Sequence, residues 1–217
     1  MSAAAVTVLL VDDHAVVREG YRQLLERSGN IAVVGEASAA EEALAKFDAL
    51  APQVVVMDIA MPGVSGIDVM RRMLARVPQT RVLIFSMYED AIFASRALQA
   101  GASGYVTKAS APGVLVEAVL NVAAGKRYLS AELAQALAWH SLNAENATTE
   151  TLSAREFEVL RLLVQGQSVR DIALTLGLTS KTVANHQSII RQKLGADTAV
   201  QLLRIASRLG LDTQQPD

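Results

Sequence analysis

The 217-residue chain contains no cysteine. That excludes a disulfide framework and any thiolate metal site, so the fold has to be held by burial alone. A run of about 18 uninterrupted apolar residues is also missing, which removes a membrane-spanning helix from the expectations. The apolar start, Met1 to Leu10, has no basic n-region and runs directly into Asp12-Asp13. It reads as a buried first strand rather than a secretory leader, and a soluble, cytoplasmic protein is expected. Apolar bulk is plentiful: 51% of residues are hydrophobic and 19% charged. One large domain, or two smaller ones, can each bury a core at this length.

Charge is divided unevenly. Through Glu150 there are 12 Lys and Arg against 16 Asp and Glu, and from Thr151 onward 8 against 6. Setting aside the tail acids Asp212 and Asp217 leaves the back of the chain at +4 behind a front at −4. A basic back suggests contact with nucleic acid there.

From Val6 to Gly125, short β-branched runs alternate five times with helical runs. The expected strands are Val6 to Val11, Ile31 to Ala37, Val54 to Asp58, Arg81 to Ser86 and Gly104 to Thr107. Helices are expected to begin near Val16, Ser38, Gly66, Ala91 and Gly113. Ser38 and Glu41 have capping-box spacing at the second helix. In the third, Ile67, Met70, Leu74 and Val77 recur at helical spacing until Pro78 ends the run. Such alternation implies parallel strands with right-handed crossovers and helices on both faces.

A further helix, Tyr128 to Trp139 with Ser130 as its cap, leads into the polar stretch Ser141 to Thr151, which reads as a linker. Four helices follow, over Ser153 to Gln165, Ser168 to Leu176, Ser180 to Leu194 and Thr198 to Leu209. The expected division is therefore 1–127, a helix and linker over 128–151, and 152–217.

Asp12, Asp13, Asp58, Ser86 and Lys108 each stand where an apolar run closes. The carboxyl ends of strands in an open parallel sheet converge on one crevice, so these scattered residues would share a site. Three carboxylates there repel one another unless a hard divalent cation neutralises them. Mg2+ suits the role, since it takes oxygen ligands and keeps waters for phosphate oxygens. A carboxylate in such a site can attack a phosphoryl group and become an acyl phosphate. Asp58, alone at its strand end, is the best nucleophile. Lys108 and the Ser86 hydroxyl are suited to pair with phosphate oxygens. Pro62-Gly63 reads as a turn shaping the loop after Asp58, Met61 as a packing residue, and His14 as the first residue of a loop with no assigned role.

The segments Leu9-Leu-Val-Asp-Asp-His14, Val55-Val-Met-Asp-Ile-Ala-Met-Pro-Gly63, Ser86 and Tyr105-Val-Thr-Lys108 resemble the receiver domain of two-component response regulators. The resemblance spans about Val6 to Gly125 and implies a flavodoxin-like α/β fold, (βα)5 with a parallel five-stranded sheet. It implies that Asp58 accepts phosphate from a sensor histidine kinase. It further implies that Asp13, Asp58 and the Ala60 carbonyl ligate Mg2+, with Asp12 helping through water. Ser86 and Tyr105 would form the switch, the hydroxyl moving toward the phosphate and the ring turning inward, a two-state equilibrium biased by a new dianion.

In the back of the chain, Ser168 to Ser188 holds two helical runs around Gly177-Leu-Thr-Ser, with small Ala173 and Val183 where helices would approach. This is the helix-turn-helix arrangement. Ser153 with Glu156 again has capping-box spacing. Leu152 to Leu160, Gly166, Asp171-Ile-Ala173, Lys181 to His186 and Lys193-Leu-Gly195 resemble the LuxR-type DNA-binding domain, all-α, as found in the NarL/FixJ response regulators. The resemblance implies that Ser180 to Leu194 enters the major groove. Lys181, Ala184, Asn185 and Ser188 would face outward. Lys181, Thr182 and Lys193 suit phosphate, and Asn185 suits adenine. His186 is placed either on phosphate or in packing. The last helix, with Val200 and Leu203, would form the dimer contact on an inverted-repeat duplex; Ala199 stands where an arginine is common.

Two other readings stay open at this point. An aspartate-nucleophile phosphatase of the haloacid dehalogenase type also uses Mg2+, Asp, Ser or Thr, and Lys, but it needs a second acid two residues after the nucleophile, where this chain has Ala60. The other is a DNA-binding regulator that works without phosphorylation.

Overall fold

The computed structural model describes residues 4–89, 91–143, 152–208 and 211, with backbone alone at 139–143 and 208. The chain divides into two units, Met1–Leu142 and Asn143–Asp217.

In the first unit strands and helices alternate from β1 (Val6–Val11) and α1 (Ala15–Arg27), through β2 (Ile31–Ala37), α2 (Ala40–Leu50), β3 (Val54–Met57), α3 (Gly66–Arg76), β4 (Arg81–Ser86) and α4 (Ala91–Gln99), to β5 (Gly104–Thr107) and α5 (Pro112–Ala123). β6 (Tyr128–Leu129) and α6 (Ala131–Asn143) close the unit. The strands lie in the order β2-β1-β3-β4-β5-β6, all parallel. β1, β3, β4 and β5 are buried nearly throughout, as expected of strands covered on both faces. Their side chains alternate between two cores. Val8, Leu10, Val54, Val56, Leu83, Phe85 and Val106 pack with Leu25 of α1 and with Leu115, Ala118, Val119 and Val122 of α5. The intervening residues, Leu9, Val55, Met57, Val82, Ile84 and Tyr105, are equally buried on the opposite face.

Four expectations need correction. The sheet has six strands, because Tyr128–Leu129 leaves the expected helix to pair with β5. The last helix of the unit accordingly starts at Ala131, where the Ser130 hydroxyl does accept a cap bond from the Leu133 N–H, 3.2 Å. At α2 the cap residue is Ala39, and the partner of Ser38 is Glu42 rather than Glu41. Glu42 accepts from both the Ser38 N–H and hydroxyl, at 2.8 and 3.0 Å. The Lys46 ammonium and these bonds hold its carboxyl down to about 2. In α3 the core positions are Ile67, Val69, Met70 and Met73, while Leu74 is half-buried and Val77, just past the helix, is exposed.

The second unit is helical: α7 (Ala154–Val164), α8 (Val169–Thr175), α9 (Ser180–Leu194) and α10 (Ala199–Arg208). Ser153 and Glu156 form the capping box at the start of α7. Gly177 in the α8–α9 turn has φ +61, the left-handed conformation that glycine tolerates. Ala173 and Val183 are buried where the two helices meet. The stretch 144–151, within the expected linker, and Leu209 of the expected last helix lie outside the described residues. Among the described residues no helix is long and apolar enough to cross a membrane.

Candidate functional site

β1 and β3 are neighbours at the point where strand order reverses, which is where such sheets place their sites. Asp12 follows β1 and Asp58 follows β3. The Asp58 N–H bonds the Val11 carbonyl at 2.9 Å, so backbone pairing sets the two acids side by side. Lys108 follows β5, and its N–H bonds the Ser86 carbonyl at 2.8 Å, which ties the ends of β4 and β5 together. The Lys108 ammonium then reaches across the crevice. It donates to Asp12 Oδ2 and to Asp58 Oδ2, each at 2.6 Å, with all three side chains 5% exposed or less. The other Asp58 oxygen accepts from the Ala60 N–H at 3.1 Å, and the Asp12 one from the His14 N–H at 2.8 Å.

Burial pushes the Asp58 carboxyl above its ordinary value and the Asp12 charge adds to this, while Lys108 pulls the other way. For Lys108, burial works against the charge, but Asp58 and Asp12 outweigh it and raise the ammonium above its ordinary value. An ammonium that stays charged between two buried carboxylates is already acting as the cation of the crevice.

Asp13 completes the acidic group. Its Oδ1 is buried and has no hydrogen-bond partner among the described residues. His14 Nδ1 approaches to 2.9 Å as an ion-pair contact without hydrogen-bond geometry. Donor atoms of Asp12, Asp13, His14 and Asp58 all lie within 4.8 Å of one another. A buried, unbonded carboxylate oxygen beside two more carboxylates fits a hard, oxygen-seeking cation.

Ser86 is fully buried, and its hydroxyl oxygen accepts from the Tyr88 N–H at 3.3 Å. Tyr105 is already inward in this structure, 0% exposed, and its hydroxyl donates to the Tyr88 carbonyl at 2.7 Å. Tyr88 in turn stacks on Phe93 with ring centroids 4.1 Å apart. The loop after Ser86 is thus held at both the hydroxyl and the aromatic residue expected to switch. Met61 is buried, and Gly63 has φ +81 in the turn after Pro62.

Gly66, a residue that sequence reasoning used only as a helix start, belongs to the site. A Cβ there would fall 1.8 Å from the Asp58 carbonyl oxygen. The only signal in the sequence is a glycine placed first in a helix, where nothing about helix propensity favours it.

In the second unit α9 buries Val183, Ile190 and Leu194. Lys181, Ala184, Asn185 and Ser188 are exposed, as expected, and Arg191 and Gln192 are exposed as well. Thr182 is half-buried at the helix start, where its N–H and hydroxyl both engage the Thr179 hydroxyl. Two of the residues expected at the DNA also face partners or burial within the unit. The Lys193 ammonium donates to Glu156 of α7 at 2.7 Å. His186 turns its Nδ1 inward, buried without a hydrogen-bond partner among the described residues, and burial holds its pKa below the ordinary value. On α10, Val200 and Leu203 are 59% and 46% exposed, while Leu202 and Ala206 pack inward.

Two family models match the chain. Residues 8–120 match the response regulator receiver domain, and residues 150–206 match the luxR family of bacterial regulatory proteins. The chain is 38% identical over 208 residues to the response regulator GacA of Pseudomonas syringae pv. syringae (strain B728a), covering 95% of this chain and 97% of that protein. It is 35% identical over 208 residues to the response regulator UvrY of Escherichia coli (strain K12), covering 95% of each. Among solved structures, RcsB of Salmonella enterica serovar Typhimurium, bound to promoter rprA in the presence of the phosphomimetic BeF3−, aligns with a TM-score of 0.63. That alignment is 27% identical and covers 94% of this chain and 98% of that one.

Proposed function

Because this chain belongs to the response regulators that join a receiver domain to a LuxR-type DNA-binding domain, we propose that phosphorylation of Asp58 by a sensor histidine kinase controls how its second domain binds DNA. The family consists of DNA-binding regulators of transcription rather than enzymes that turn over substrate, and the receiver promotes only its own phosphoryl transfer. The observation that carries the reading is the Lys108 ammonium shared by Asp12 and Asp58 at 2.6 Å each.

In the transfer, a carboxylate oxygen of Asp58 forms a bond to phosphorus as the P–N bond of the donor phosphohistidine breaks, and the imidazole nitrogen departs. Asp12, Asp13, Asp58 and the Ala60 carbonyl would hold Mg2+, a role that the unbonded, buried Asp13 oxygen suits. When bound, the ion neutralises charge on the transferring phosphoryl group. Lys108 orients Asp58 before transfer and pairs with a phosphate oxygen after it. Ser86 exchanges its bond with the Tyr88 N–H for one to the phosphate, which frees the loop that Tyr105 also holds.

On this reading 1–127 is the receiver, 128–151 joins it to the output domain, and 152–217 contacts double-stranded DNA through α9. Val200 and Leu203 pair across a two-fold axis on an inverted-repeat site. The protein would act in the cytoplasm. The phosphatase alternative lacks its second acid, since Ala60 stands there.

The test is covalent labelling. Acetyl phosphate with Mg2+ should label the wild-type chain and leave Asp58→Asn unlabelled, as read by intact-protein mass spectrometry. Equal labelling of the variant would move the nucleophile elsewhere.

A further inference from the structure

The outward face of α9 carries two small residues at its middle. Ala184 offers only a methyl group, and the Ser188 hydroxyl is directed back to the Ala184 carbonyl at 3.2 Å. Both are exposed. A recognition helix ordinarily contacts base edges through its N-terminal residues. Here Ala184 and Ser188 are short residues between Lys181 at the start of α9 and Arg191 and Gln192 near its end, all exposed, so the middle of the helix can lie close to the groove floor.

Two amides stand on that face. Asn185 and Gln192 are both exposed and seven residues apart, which is two turns and therefore one direction around the helix. Their separation along the axis is about 10.5 Å at 1.5 Å per residue. Base pairs recur about every 3.4 Å, so the two side chains lie over positions roughly three base pairs apart. Either amide can make paired hydrogen bonds to adenine. Lys193 follows Gln192 but is committed to Glu156. Arg191 is exposed as well and borders the same face one turn beyond Ser188.

We propose that sequence readout along α9 is divided between Asn185 and Gln192, each reading an adenine, with Arg191 contacting the phosphate backbone beside them. The proposal rests on the reading of α9 as the helix that enters the major groove. It adds that the second half of the helix specifies sequence, and that Arg191 takes the phosphate role expected of Lys193.

Selection from a pool of randomised duplexes with the full-length chain tests it. The wild type should select half-sites carrying two A·T pairs about three base pairs apart. Gln192→Ala should lose the preference at one of them by about tenfold or more and keep the other. Asn185→Ala should do the reverse. Arg191→Ala should select the wild-type sequence but bind every duplex more weakly, with a log K against log salt slope shallower by about one. Lys193→Ala should leave the slope unchanged. If Gln192→Ala selects the wild-type motif while Asn185→Ala does not, this inference fails and α9 remains the reading helix. If neither changes the motif, the assignment of α9 fails with it.

Discussion

At Gly66 the backbone of α3 passes so close to Asp58 that a Cβ would sit 1.8 Å from the Asp58 carbonyl oxygen and 3.0 Å from the Ile59 Cα. Those atoms belong to the buried segment that directly follows β3, which has no room to retreat. Gly66→Ala should cost about 3 kcal/mol, the upper end of overpacking penalties. A urea midpoint lowered without a change in slope would show it, along with slower labelling at Asp58. A variant as stable as wild type would mean that α3 can slide away from the site. Lys108 carries the opposite constraint. Lys108→Met leaves two buried carboxylates facing each other without their cation, a loss of about 3–5 kcal/mol in metal-free protein. Mg2+ can replace that positive charge, so its addition should raise the melting temperature of the variant more than that of wild type. Equal shifts would show that metal and lysine do not share the same carboxylates.

At the scale of elements, what was legible in the sequence followed from how local each cause is. β1, β2, β4 and β5 match the expected residues because each is an apolar run bounded by polar or turn residues, and their side-chain period is set within the strand itself. β6 was not legible. Two residues carry no period, and the pairing exists because Gly104 lets the chain approach: a Cβ at Gly104 would lie 2.7 Å from the Tyr128 carbonyl. The two capping boxes separate on similar grounds. Ser153 with Glu156 was read in register, whereas Ser38 bonds Glu42, since the helix begins one residue later than the motif suggests. In the crevice every acid and the lysine were placed by strand ends, but Gly66 was not, because its partner is a backbone oxygen eight residues away. The ion pair of Lys193 was not legible either, because its partner lies on another helix. That partner, Glu156, caps α7 and holds α9, and it is only 6% exposed. Burial works to raise its pKa, yet Lys193 and the Ser153 bonds hold it below the ordinary 4.5. A depressed carboxylate contributes stability that is fully present above the ordinary value and lost as pH falls through the depressed one. Glu156→Gln should therefore flatten the acid side of the melting profile of the C-terminal unit and cost about 1 kcal/mol near neutral pH, discounted for partial exposure of Lys193. An acid limb identical to wild type would remove Glu156 from the link between α7 and α9.

For the molecule as a whole, the question is how phosphate on one unit changes DNA binding by another. Coupling of this kind is a free-energy difference, ordinarily about 1–3 kcal/mol or about 5- to 150-fold in affinity. Two mechanisms would give the same fold-change. Phosphorylation can release a single DNA-binding unit, or it can bring two copies together through faces such as Val200 and Leu203 of α10, which are exposed. Salt separates them. Affinity falls with log salt in proportion to the phosphates neutralised, so a released monomer keeps its slope, while a dimer on an inverted repeat engages twice the contacts. We predict that acetyl phosphate with Mg2+ tightens full-length protein on duplex DNA within that range and roughly doubles the salt slope. Asp58→Asn should hold the weaker affinity and shallower slope under the same treatment. A tighter complex with an unchanged slope would assign the switch to release of a monomer, and an isotherm indifferent to acetyl phosphate would show that this chain binds DNA without its receiver's phosphate.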